Sequence, residues 1–155
     1  MRHRRLAIAP TLAAVGVLAV AGLAGAHSDR SGDPLFAVLD GGYEISPEGK
    51  AGAGDPDGFG SATVLVAGPR KLCYGLTLAA VDKPVAAHIH VGRPGVNGPV
   101  VVPLTQPATG AAGASSGCVR VDRALVKAIH AHPKDYYVNI HTEAFLGGAV
   151  RGQLH

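Results

Sequence analysis

His88 and His90 stand one residue apart inside "AAHIHVGRPGVNGPVVVPL", Ala86 to Leu104, and a third histidine, His141, closes the apolar run "YYVNIH". In an extended segment alternate residues share a face. Val85, Ala87, Ile89 and Val91 then fall on one side and Ala86, His88 and His90 on the other, the two histidine Cα atoms roughly 6.5 to 7 Å apart given the strand rise. The same parity groups Tyr136, Val138 and Ile140 against Tyr137, Asn139 and His141, and Val150, Gly152 and Leu154 against Ala149, Arg151 and Gln153. If the three segments are neighbours in one sheet, His88, His90, His141, Asn139, Arg151 and Gln153 gather into a single patch. Three neutral imidazoles with an open position suit copper or zinc, and a ligand set without carboxylates or thiolates does not suit calcium or magnesium. Copper held by His88, His90 and His141 is the expected chemistry, with Asn139 and Arg151 as supporting or anion-orienting groups. The competing reading makes them polar residues on a solvated sheet face, or half-buried histidines satisfied by backbone carbonyls.

Other motifs carry less. Asp55-Pro56-Asp57-Gly58 begins like a calcium loop, but Ala67 occupies the twelfth position, where an EF-hand needs glutamate; a turn is the expectation. Ser115 and Ser116 sit in no nucleophile elbow, the glycines at 92, 95 and 98 lack a surrounding βαβ unit, and scattered carboxylates do not make a paired-acid glycosidase.

The elements that would position the patch read as short strands between turn signals. Leu35 to Ile45 is interrupted at Asp40-Gly41-Gly42, and Ser46 to Gly60 is a loop rich in glycine and proline. Ser61 to Ala67 and Leu72 to Ala80 look paired across Gly68-Pro69-Arg70-Lys71, followed by Val85 to Val91 and Val100 to Leu104. Thr105 to Gly117 has little that could pack and reads as loop. Val121 to Ala131 is the one helical pattern, with Asp122 placed to cap, Leu125, Val126 and Ile129 on one face, and Pro133 as the stop. Tyr136 to Thr142 and Ala149 to Leu154 complete the set. The pattern predicts an all-β, antiparallel Greek-key β-sandwich or barrel with one short crossover helix.

Arg2, Arg4 and Arg5 precede an uncharged apolar run, Leu6 to Ala26, that closes on Ala-Gly-Ala. That is the pattern of a secretory signal peptide over residues 1–26, with a membrane anchor as the alternative. A flexible segment, 27–34, and one domain, 35–155, would follow, secreted or associated with the cell envelope and with no membrane span after cleavage. Three of the 14 Lys and Arg lie in the signal, so the remainder carries as many cations as its 11 acidic residues. That balance gives no basic footprint for nucleic acid and leaves an unknown protein or envelope component as partner. Two cysteines, Cys73 and Cys118, in an oxidising compartment read as one disulfide. Closing a loop of about 45 residues, it would stabilise the domain by roughly 3 to 4 kcal/mol on the loop-entropy model.

The blocks "AAHIHVGRPGVNGPVVVPL", "SSGCV", "AIHAHPKDYYVNIHTEAF" and "GGAVRGQL" resemble the CHRD domain, found in the vertebrate chordins and in exported bacterial proteins, over about Leu35 to Leu154. The resemblance implies an extracellular β domain and a binding module rather than an enzyme. A weaker resemblance, to the copper–zinc superoxide dismutases, implies a second function. By position His88 and His90 would match that family's paired copper ligands, His141 its late copper ligand and Arg151 the arginine that guides the anionic substrate. The chain has no counterpart of the histidine bridging copper and zinc, nor of the zinc loop with its aspartate. The expected function is thus an exported binding module holding copper. The alternatives are a copper-dependent, superoxide dismutase-like oxidoreductase or a purely structural or adhesive module.

Overall fold

The structure, a computed structural model, describes residues 32–155. The expected signal peptide and most of the 27–34 segment lie outside the described residues. Eight strands run β1 (Leu35–Asp40), β2 (Phe59–Gly68), β3 (Lys71–Ala79), β4 (Pro84–Val91), β5 (Val100–Leu104), β6 (Ala112–Arg120), β7 (Tyr136–Thr142) and β8 (Val150–Gln153). A single α-helix, α1 (Arg123–Ala131), carries the chain from β6 to β7, and 3₁₀ turns occupy Gly41–Tyr43 and Pro133–Asp135. The strands form one antiparallel sheet in the order β5-β4-β7-β8-β1-β2-β3-β6. It curls into a nearly closed barrel, as the alternation of residues dictates. Leu39, Val64, Leu76, Ile89, Ile140 and Leu154 are almost wholly buried and fill the interior, and α1 adds Val126 and Ile129 to the same cluster. Among the described residues no helix is long and apolar enough to cross a membrane.

Three expectations are corrected. Thr105 to Gly117 is not all loop, because Ala112 to Arg120 form β6, paired residue for residue with β3. The segment is poor in strand formers because its inward positions must be small: a Cβ on Gly117 would lie 2.9 Å from the Tyr74 hydroxyl. That hydroxyl accepts from the Thr105 amide at 2.8 Å, and the Ser115 hydroxyl donates to the Thr105 carbonyl at 2.7 Å, so side chains tie the end of β5 toward β3 and β6 where the ladder does not close. Val85 does not face the core with Ala87 and Ile89. The register between β4 and β7 shifts between Pro84 and Ala86, and this bulge turns Val85 outward, 40% exposed. Asp122 precedes α1 without a side-chain capping bond, because its carboxylate is held by Arg70 at 3.1 Å.

The disulfide joins Cys73 to Cys118, directly opposite each other on β3 and β6. Asp55 to Gly58 is a turn, with the Asp57 amide donating to the Asp55 carboxylate and the Gly58 amide to the Asp55 carbonyl. A Cβ on Gly41 would stand 1.7 Å from the Asp55 carbonyl oxygen, so the 3₁₀ turn and this loop pack backbone to backbone.

Candidate metal centre

Strands β4, β7 and β8 are consecutive in the sheet, and their register builds the patch. His88 stands opposite Asn139, His90 opposite Tyr137, His141 opposite Ala86 and Arg151 opposite Asn139. All project from the outward face, where residues 41–46 and the loop 92–99 fold over them. His90 is 8% exposed, Asn139 2% and Arg151 2%; His88 and His141 are half-buried.

The three imidazoles converge, each offering one nitrogen within 4.8 Å of the other two, and His88 Nδ1 lies 3.2 Å from His141 Nε2. An ion about 2.0 to 2.1 Å from each nitrogen needs nitrogens roughly 3.3 to 3.6 Å apart, so this pair needs to open only slightly to reach that separation. The surroundings fix which nitrogen is which. His90 Nδ1 is 2.9 Å from the Gly98 carbonyl and His141 Nδ1 2.9 Å from the Leu146 carbonyl. A carbonyl only accepts, so both Nδ1 atoms carry the proton and both Nε2 atoms present a lone pair. His90 Nε2 is buried with no hydrogen-bond partner, which a polar atom in a folded interior rarely is. His88 Nδ1 donates to His141 Nε2 in the absence of an ion, and the other tautomer of His88 turns that nitrogen into the third lone pair. Backbone carbonyls that orient the distal nitrogen of a ligating histidine are the usual outer support of a metal site.

Electrostatics favour the neutral rings. Burial, with His141 and then His90 as neighbours, holds the His88 pKa below its ordinary value. Burial also lowers that of His90; the bond to Gly98 opposes the shift, while His141 and Arg151 add to it.

The His90 ring stacks on Tyr137, centroids 4.8 Å apart and planes 11° from parallel, while the Arg151 guanidinium lies 3.4 Å from the centroid of the same ring. Arg151 donates to the Val96 carbonyl at 2.7 Å, to Asn97 Oδ1 at 3.0 Å and to the Arg93 carbonyl at 3.4 Å. Asn97 in turn donates to the carbonyls of Ile45 and Ser46. Arg151 thus binds the loop 92–99, which carries the Gly98 carbonyl that orients His90. Asn139 donates to Glu44 Oε2 at 2.8 Å, and its Oδ1 is buried without a partner. Burial raises the Glu44 pKa, against the Ile45 amide, Arg151, His141 and Asn139, which lower it.

Tyr137 shares a strand parity with Asn139 and His141, and that parity is its one signal in the sequence. Glu44, Asn97, Gly98 and Leu146 have none, because they reach the patch from loops whose path no local pattern sets.

The described residues thus form an antiparallel barrel with three outward imidazoles close enough together to hold a metal ion. A family model, the CHRD domain, matches residues 35–154, and the chain belongs to that family. No curated protein and no solved structure matches the chain. The disulfide and the family are consistent with an extracellular location.

Proposed function

We propose that this protein is an exported binding module that holds one copper ion through His88 Nδ1, His90 Nε2 and His141 Nε2. The observation that carries the reading is the buried, partnerless Nε2 of His90, whose ring belongs to a cluster in which every member offers a nitrogen within 4.8 Å of the others. The ligand set is neutral and all nitrogen, and imidazole sites bind Cu(II) more tightly than the other divalent ions of the first row. A binding role rather than turnover of an anion follows from Arg151, whose guanidinium is spent on Tyr137, Asn97 and loop carbonyls. Signal-directed export, read from residues 1–26, would put the domain where copper is met outside the cytoplasm.

The test is copper retention. The protein takes one equivalent of Cu(II), and the wild type is compared with His88→Ala and His141→Ala after gel filtration. Retention by the wild type and its loss in both variants supports the site; equal retention in all three removes it. A superoxide assay on the loaded wild type then separates binder from enzyme, and rapid disproportionation there would favour the dismutase-like alternative.

A further inference from the structure

The charges of the described residues are sorted along the barrel. The β2–β3 turn, the end of β6 and the start of α1 meet at one end: Lys71 stands directly opposite Arg120, and the Val121 amide donates to the Arg70 carbonyl at 3.0 Å. The loops at the other end carry Asp40, Glu48, Asp55, Asp57, Asp82 and Glu143, so the described residues, balanced in charge as a set, are basic at one end and acidic at the other.

The basic end is held at a local electrostatic cost. Lys71 and Arg120 are like charges in a cross-strand pair, an arrangement that destabilises a sheet. Arg123 opens α1, whose first turn contains no acidic residue, although a helix N-terminus disfavours a cation. Asp122, which precedes Arg123 in the chain, is already paired with Arg70. Among the described residues Lys71, Arg120 and Arg123 have no ion-pair partner, and all three are exposed. Two clefts, one beside the β2–β3 turn and one between β5 and α1, share Arg70 and Arg120 in their walls. Three unneutralised cations at one place, each costing the fold something, are what an anionic ligand would offset.

We propose that this end docks a linear polyanion, an envelope or matrix polymer bearing repeated phosphate or carboxylate groups. The patch offers charge without anchors. None of the exposed large apolar side chains lies on β3, β6 or α1, and the one on β5, Val100, stands alone there, too little apolar surface to insert into a lipid bilayer. No exposed aromatic ring on those elements offers a platform for stacking nucleobases.

The experiment passes the purified protein over immobilised long-chain polyphosphate and over polygalacturonate in low salt, followed by a salt gradient. Retention of the wild type on at least one of these polymers is expected. Arg120→Glu sets an acid opposite Lys71, and Lys71→Glu makes the reciprocal pair. Each weakens binding about tenfold or more while raising the melting temperature by about 2 to 4 °C. Lys83→Glu, which makes the same change in net charge at the acidic end, leaves retention as it was. No retention of the wild type, retention of both patch variants at wild-type salt, or equal loss in Lys83→Glu overturns the proposal. So does binding to anionic phospholipid vesicles, or to duplex DNA, as tight as to the polymers.

Discussion

His90 lies flat against Tyr137, the two rings 4.8 Å apart and 11° from parallel, and the same phenol ring is covered by the guanidinium of Arg151 at 3.4 Å. The residue expected to bind metal is therefore positioned by a stack that runs across three adjacent strands. Tyr137 is 2% exposed, and its hydroxyl accepts from the Gly98 amide at 3.2 Å, beside the carbonyl that orients His90. Tyr137→Phe keeps the stack and loses that bond together with the hydroxyl's longer donation to the Gly98 carbonyl at 3.5 Å, at about 1 kcal/mol, with copper affinity little changed. Tyr137→Ala removes the support as well as the packing. It lowers stability by about 3 to 5 kcal/mol and copper affinity about 10- to 100-fold. Urea unfolding and a copper competition titration on both variants check the split.

The sheet explains why so much of this site is legible in the sequence. His88, His90, Asn139, His141 and Arg151 fall on one face through the two-residue period of a strand, which chain order alone reveals. Once β4, β7 and β8 are neighbours, that parity brings them together. The bulge at Val85 leaves no trace in the sequence because a bulge changes register without altering residue type. The strand β6 is hidden for a different reason, since Gly117 makes room for the Tyr74 side chain and Ser115 bonds the Thr105 carbonyl, roles that ordinary strand formers would not fill. Glu44, opposite no sheet residue, arrives through contacts between Gly41, Gly54 and the Asp55 turn, which are specified by space rather than by local pattern.

Gly148 is the residue on which the Glu44–Asn139 pair depends. It adopts φ of +141°, and a Cβ there would stand 2.2 Å from Glu44 Oε2 and 2.7 Å from Asn139 Nδ2. Gly148→Ala therefore adds backbone strain of order 1 to 3 kcal/mol and pushes the carboxylate off its donor. Chemical denaturation is expected to show a loss of at least about 2 kcal/mol, given strain plus a broken bond to a charged acceptor. Gly147, next to it, has open space where a Cβ would stand, so Gly147→Ala serves as the control and changes stability by less than about 1 kcal/mol.

The disulfide and the histidine cluster occupy different parts of the barrel. Cys73 and Cys118 link β3 to β6, whereas the ligands stand on β4 and β7, neither of which pairs with β3 or β6. The double variant Cys73→Ser/Cys118→Ser is expected to lose about 3 to 4 kcal/mol through the freed 45-residue loop. At low temperature, where it remains folded, it retains copper as the wild type does. Thermal unfolding and metal retention on the same sample check both halves, and loss of copper from the folded variant would contradict the separation.

Acid sensitivity follows from the direction of the histidine shifts. The pKa values of His88 and His90 are held below the ordinary 6.5, burial being the first cause for each. A depressed folded value means that the contribution of each ring to stability is fully present above the unfolded pKa and is lost as pH falls through the folded one. The metal-free protein is thus expected to weaken as pH drops below about 6.5, and the loss levels off once both rings are protonated. Glu44 acts in the opposite sense, since its raised pKa gives a contribution present below 4.5 that fades as pH rises through the folded value. Copper competes with protons for the same lone pairs. Because those protons bind less readily than to a free imidazole, the loaded protein keeps its ion at about pH 6, where a solvent-exposed histidine is already largely protonated. Denaturant titrations of the metal-free form from about pH 7.5 to 4.5, set beside copper retention over the same range, give the two curves, and the release of copper lies below the ordinary histidine pKa.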